Sequence, residues 1–297
     1  MGRFGHHIWT CLFLVCACLA IPGIGRAQEV VAILSSELPP YHEALEGFQE
    51  AFGKAVRRVS LTLDEPSIGP ETHVVAAFGG KAALKTYPEQ AVVIYCLSPG
   101  VHLASGDRRR DAVKIPMLPR AGFVISRLRE FQPGLKSLVV FWISEALAPH
   151  IQDMGQAASS FGITLLEERL ANQDDLPERL RWVLRKGADG VWLPPDPVLI
   201  NARSFALLKA FCQANRMPLY VPTSGLVEQG AVASISCSFR EMGRTAGKAA
   251  REALLGNVRP GVSYPEVVET TLNLNAATNV GLQITPEILS KTDRVVR

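Results

Sequence analysis

The chain has 297 residues, 47% of them hydrophobic and 20% charged, with a formal net charge of +3. That is enough for two domains of ordinary size with a large core, and it excludes a disordered or low-complexity chain. A charge so close to neutral leaves no electrostatic footprint for nucleic acid.

The first segment stands apart. Arg3 precedes the apolar run Ile8–Ala20, which Pro22 and Gly23 soon interrupt, and Gly25-Arg26-Ala27 precedes Gln28. A basic start, an apolar stretch and small residues before a cut predict a signal peptide over 1–27, cleaved after Ala27, and a periplasmic mature protein. A retained N-terminal anchor, or a lipoprotein box around Val15–Cys18, are the alternatives. Loss of Arg3 and Arg26 removes two of the three units of net positive charge. The basic run Arg108-Arg109-Arg110 is flanked by Asp107 and Asp111, which reads as a solvated loop. After the signal, Cys96, Cys212 and Cys237 remain. One disulfide is open to them in an oxidising compartment, but all three sit in apolar runs that favour buried free thiols.

From Glu29 onward, strand and helix patterns alternate. Glu29–Leu34, Val56–Leu63, His73–Phe78 and Ala91–Leu97 read as strands, with helices over Tyr41–Phe52 and Lys81–Tyr87. After a charged loop come a helix over Ala121–Phe131, a strand over Ser137–Trp142, a helix over Ala148–Phe161 and a strand over Gly162–Glu167. Asp175 is expected to cap a helix over Asp175–Lys186 that Gly187 ends. Gly190–Leu193 is a strand, Val198–Asn215 a helix, and Pro218–Val221 and Ala231–Cys237 are strands around a polar turn at Thr223–Gly225. Ser238 and Glu241 have the spacing of a capping box, and Gly256 stands where a glycine ends a helix. Apolar runs without alternation suit parallel sheets covered on both faces, and the βα order runs through two successive halves. The expected fold is therefore α/β, with two Rossmann-like lobes.

In open α/β sheets, ligands sit outside the carboxyl ends of the strands. Those positions hold Ser35, Ser36, Gly79, Gly80, Ser98, Ser144, Asp196, Thr223, Ser224 and Ser236, which are small or hydroxylated apart from one acid. Small residues let backbone N–H groups approach a ligand, and Asp196 could meet an ammonium or a hydroxyl. These ten residues are the expected ligand-binding set. Catalytic motifs are absent: no G-x-S-x-G elbow, no H-E-x-x-H, and no metal-ligand spacing among His42, His73, His102 and His150. Gly243–Lys248 (GRTAGK) resembles a phosphate-binding loop, but its spacing is one residue short and it falls inside the helix that Ser238 starts. The expectation is a binding protein without cofactor or metal, not an enzyme.

Three stretches carry a family resemblance: Val191–Asp196 (VWLPPD), Pro218–Gly243 with its Thr223-Ser224 and Val227–Ala231 segments, and Asn273–Pro286 (NLNAATNVGLQITP). With them the chain resembles the substrate-binding proteins of ABC transporters, in the branch described as tryptophan/tyrosine-type uptake binding proteins. The likeness is good over Ala121–Leu289 and moderate over Glu29–Gly100. It implies the type I periplasmic binding protein architecture. One lobe would comprise 28–118 plus 239–262, the other 119–238 plus 263–297. It also implies a monomer that closes on a small solute, such as an amino acid or related molecule, and delivers it to a membrane permease. A sensor that keeps the fold but signals to a membrane partner is the alternative. Two positions depart from the pattern. Asp64–Thr72 is too short for a helical crossover, which trims the first lobe. Gly80 and Ser98 stand where the family has threonine and aspartate, the groups that would hold an amino-acid zwitterion.

Overall fold

A computed structural model describes residues 29–63, 65, 67–103 and 112–297. The expected signal peptide and the Arg108–Arg110 run lie outside the described residues. The first part of the chain runs β1 (Glu29–Leu34), α1 (Pro39–Phe52), β2 (Arg57–Ser60), β3 (Thr72–Phe78), α2 (Gly80–Leu84), β4 (Val92–Cys96) and β5 (Ala112–Lys114). The second continues with α3 (Ala121–Phe131), β6 (Ser137–Trp142), α4 (Ala148–Ser160), β7 (Thr164–Arg169), α5 (Leu176–Lys186), β8 (Gly190–Trp192), α6 (Ala202–Ala214), β9 (Leu219–Val221), α7 (Ser224–Glu228) and β10 (Ala233–Ser236). The last part comprises α8 (Phe239–Leu254), β11 (Gly261–Val262), β12 (Glu269–Asn273), α9 (Leu274–Asn279), α10 (Pro286–Ser290) and β13 (Arg294–Val296).

These strands make two sheets, in the orders β11-β5-β4-β3-β1-β2 and β13-β12-β10-β9-β8-β6-β7. All pairings are parallel except β10 with β12, which is antiparallel. Alternation along each strand sends side chains to two helical layers. On the first sheet, Val30, Ala32, Val74 and Ala76 face α1 and α8, whereas Val31, Ile33, Val75 and Ala77 face α2. On the second, Leu138 and Val140 face α3 and α4, whereas Val139 and Phe141 face α5 and α6. Both faces are dry, which is why these strands read as unbroken apolar runs.

The chain passes between the sheets three times: between β5 and α3, between β10 and α8, and between β11 and β12. The second passage depends on α8. Ser238 caps this helix by accepting a hydrogen bond from the Glu241 N–H, 3.2 Å, and Gly256 closes it at φ 75°. Met242, Ala246 and Ala250 pack with β1, β3 and β4 in the first sheet's core. The helix lies so close to α1 that only glycine fits at the contact. A Cβ on Gly243 would stand 1.8 Å from the Ala44 carbonyl oxygen, and one on Gly47 would stand 2.0 Å from that of Arg240. Gly243–Gly247 is thus a helix-packing stripe rather than a phosphate loop. On the outer edge, Arg240 and Arg244 reach Glu46 and Glu50 of α1.

Several local expectations change. The helix after β7 is entered through Asn172, whose side chain accepts from the Asp174 N–H while the Asp175 carboxylate accepts from the Asn172 N–H; Asp175 makes no side-chain cap bond to α5 itself. The helix expected from Val198 begins at Ala202, capped by Asn201. No helix lies between β2 and β3 among the described residues. Cys96, Cys212 and Cys237 are buried free thiols.

The contact between α1 and α8 yields a prediction of sign. Gly243→Ala should lower stability by about 2–3 kcal/mol, because the new methyl meets backbone that cannot swing aside. Gly122→Ala, on an exposed helix position with nothing within 4 Å, should raise it by up to ~1 kcal/mol. Equilibrium urea unfolding of the two variants checks both signs.

Candidate inter-lobe solute site

In each sheet the strand order reverses once, between β1 and β3 and between β6 and β8, and the crevices at these points are the expected ligand positions. The first crevice is closed by protein groups. Gly79 opens α2 without a side chain to cap it, so Ser35 from the end of β1 does so, its Oγ accepting from the Ala82 N–H at 2.8 Å. Gly79 makes this reach geometrically available. Its φ is 97°, and a Cβ there would lie 2.6 Å from the Ser35 Oγ. Ser36 Oγ accepts from the Leu38 N–H at 3.3 Å. Gly80 is the first residue of α2.

The second crevice is closed by Asp196, which is 0% exposed. One carboxylate oxygen accepts from the N–H groups of Ile143 and Ser144 at 2.6 and 2.8 Å. The other accepts from the Ser144 hydroxyl at 2.7 Å and from the N–H groups of Val198 and Leu199 at 2.9 and 3.2 Å. Burial alone would raise this carboxyl, but the donors from Ser144, Ile143 and Val198 outweigh it and hold the group below its ordinary range. In this arrangement Asp196 ties the loops after β6 and β8 together, and no oxygen is presented to a solute. Thr223 precedes α7 without capping it, Ser224 is that helix's first residue, and both are half-buried. The Ser236 hydroxyl reaches the Glu269 carbonyl at 3.5 Å, next to the second passage between the sheets.

A cavity of about 140 Å³ lies between the lobes on the side of the connecting segments. Its wall takes Ser98 and Lys114 from the first sheet's strand ends, Leu147 and His150 from the start of α4, and Met117 and Leu118 from the first passage. Of the expected site residues, only Ser98 lines it. Lys114 ends β5 and is pinned by backbone bonds on both sides, Ile115 N–H to Tyr95 at 2.8 Å and Ser263 N–H to Lys114 at 2.9 Å. Its side chain has no hydrogen-bond or ion-pair partner among the described residues, and burial lowers its pKa. His150 stands beside the Trp192 ring at 5.7 Å, and its Nε2 is buried without a partner. Burial, then the charge of Lys114, pushes its pKa down to about 4, so it is neutral at pH 7. Sequence reading missed Lys114 because a three-residue strand after a charged loop shows no period; the one available signal was a lysine inside the apolar run Ala112–Pro116. Among the described residues, no cluster of His, Cys, Asp or Glu could hold a metal ion.

A family model described as ABC transporter substrate binding protein matches residues 123–296, more than half of the chain. The chain belongs to this family. Solved structures bear out its two-lobed fold. A conserved domain protein from Vibrio cholerae matches with a TM-score of 0.62 at 15% identity, over 90% of this chain and 99% of that one. The ABC domain from Streptococcus pneumoniae in complex with L-Trp has a TM-score of 0.62 at 15% identity, over 90% and 100%. The ligand-free, open structure of a substrate-binding protein with adhesive properties from Clostridium difficile has 0.64 at 16%, over 91% and 99%. No curated protein matches the chain. Among the described residues no helix is long and apolar enough to cross a membrane.

Two expectations about stability follow for this substrate-binding protein. Asp196→Ala should cost about 3 kcal/mol, since it strands buried N–H donors at two loops. The Asp196 pKa is depressed, so its contribution is complete above the usual carboxylate range and fades as pH falls through the folded value. Thermal melts of the variant at pH 7 read the loss. His150 titrates in its own window. Between pH 6.5 and about 4 the unfolded chain holds a proton on it that the folded chain refuses, so stability falls with falling pH by at most ~1.4 kcal/mol per unit. The charged and titratable groups around it are Lys114, His102, Asp153 and Tyr264. Urea melts across that window should show a shallower slope for His150→Phe.

Proposed function

We propose that the protein is the solute-capturing component of an ABC uptake system, exported to the periplasm by cleavage after Ala27. A small solute enters between the lobes, the lobes close about the three connecting segments, and the closed form delivers its load to a membrane permease. The lobes correspond to 28–118 with 239–262 and to 119–238 with 263–297, and the protein works as a monomer without catalytic activity. The observation that carries this reading is the cavity whose wall is shared by both lobes and by the connecting segments. A solute there touches the parts that must move relative to one another. In this reading Ser98 contacts the solute directly, and Thr223, Ser224 and Ser236 are reached only by a solute that extends beyond the cavity. The solute class starts from amino acids and small carboxylates, the first because a structural relative was solved with L-Trp.

A second reading keeps the fold but signals to a membrane sensor. The short connection between β2 and β3, without a helix among its described residues, favours it, because it trims the outer surface that a permease would grip.

The test is a thermal-shift screen of the purified protein against amino acids, small carboxylates and sugars. A bound solute should raise the melting temperature by mass action, by about 2.7 kcal/mol of stability at one hundred times Kd. Absence of any shift across the panel overturns the solute-binding reading. Reconstitution with the permease then separates transport from sensing.

A further inference from the structure

Resting on that solute-binding reading, we infer that the cavity takes a small organic acid whose carboxylate pairs with the Lys114 ammonium and accepts a hydrogen bond from His150 Nε2. The acid's apolar body lies against Ile115, Met117, Leu118 and Leu147.

Four observations converge. Lys114 is half-buried, fixed by strand bonds on both sides and without an anionic partner among the described residues. A lysine kept in that state costs stability unless something else supplies the counter-charge. His150 brings a second unmet hydrogen-bonding atom to the same cavity. A neutral imidazole with its proton on Nε2 is a donor suited to a carboxylate oxygen. The remaining wall is chiefly aliphatic and proline, which suits a ligand that is polar at one end only. The size sets the scale: a benzene-sized molecule fills a cavity of roughly 150 Å³, and this one is about 140 Å³.

The ligand's other end is constrained as well. An α-ammonium would find just one carboxylate on this wall, Asp153, and that residue is exposed. The Asp196 carboxylate is saturated by five protein donors. A short-chain or aromatic monocarboxylate therefore fits better than a zwitterion. This accords with glycine and serine, Gly80 and Ser98, standing where polar amino-acid contacts were expected.

The experiment compares benzoate and butyrate with their neutral amides, benzamide and butyramide, by calorimetry on the purified full-length protein at pH 7. It uses the wild type, Lys114→Met and Lys114→Arg. The acids should bind about tenfold or more tighter than the amides, the scale of one charge-assisted hydrogen bond. Lys114→Met should erase that preference by weakening the acids far more than the amides, and Lys114→Arg should keep it. Ligand-free Lys114→Met should melt no lower than wild type, because it loses a half-buried charge that has no anionic partner among the described residues. A merely structural lysine would instead give a lower melting point. Equal binding of acids and amides by the wild type overturns the inference, even where a variant does not fold. So does binding confined to amino acids or sugars in the thermal-shift panel; the solute-binding reading then stands. If no solute of any class binds, both readings fall.

Discussion

The structure depends on the contact between α1 and α8. The residues of α8 follow the second sheet in sequence, yet they cover one face of the first. Glycine backbone against carbonyl oxygen at Gly243 and Gly47 brings the two helices nearer than ordinary side chains permit. Dispersion is steep in distance, so this closeness gives many small contacts along both helices. The charged edge of Arg240, Arg244, Glu46 and Glu50 adds little, since exposed ion pairs contribute about 0–1 kcal/mol each. What the contact secures is topology. With α8 seated, the second and third passages between the sheets have fixed ends, and the third lines the cavity with Val262 and Tyr264.

The two crevices then solve one problem in two ways. A strand end in an open α/β sheet exposes N–H groups that need acceptors. In the first lobe Ser35 provides one, through a glycine that leaves it room. In the second, the two Asp196 oxygens meet four N–H groups and the Ser144 hydroxyl and bind two loops into a unit. Groups of this kind could have gone to a ligand. Because they are used internally, they are not offered to a ligand, whereas Lys114 and His150 Nε2 at the connecting segments have no partner among the described residues.

Much of the fold was legible because its cause is local. Strands dry on both faces must be apolar throughout, and β1, β3, β4 and β6 appear so in the sequence. The Ser238 cap and the Gly256 stop are chemical signals at fixed offsets. What was not legible is set by partners remote in sequence. The three residues of β5 are a strand because β4 and β11 bracket them. The antiparallel β12 takes its direction from β10. Asp175 looked like a cap, but the reciprocal pair with Asn172 moved the boundary upstream. The candidate site followed the same division. Strand-end position picked out Ser98 and the saturated Asp196 alike, because nothing in the sequence distinguishes an acid facing a cleft from one facing five backbone and hydroxyl donors. The GRTAGK stretch shows the converse: its glycines are demanded by the close approach of α1, far upstream in the chain.

The placement of Lys114 and His150 bears on how binding could drive closure. Lys114 belongs to the first sheet, and His150 to α4 against the second. One ligand group that contacts both must bridge the lobes. On the inferred carboxylate contacts, such a bridge would be complete only with the lobes together, which would give the ligand differential affinity for the closed form, the sole means by which a ligand can shift a conformational equilibrium. Desolvation of the Lys114 ammonium between the two walls, which lowers its pKa, is an electrostatic cost of bringing them together without an anion. An anion removes that cost by neutralising the charge. Closure and charge compensation are then one event, and the uncompensated lysine becomes a reason for the empty protein to favour the open state.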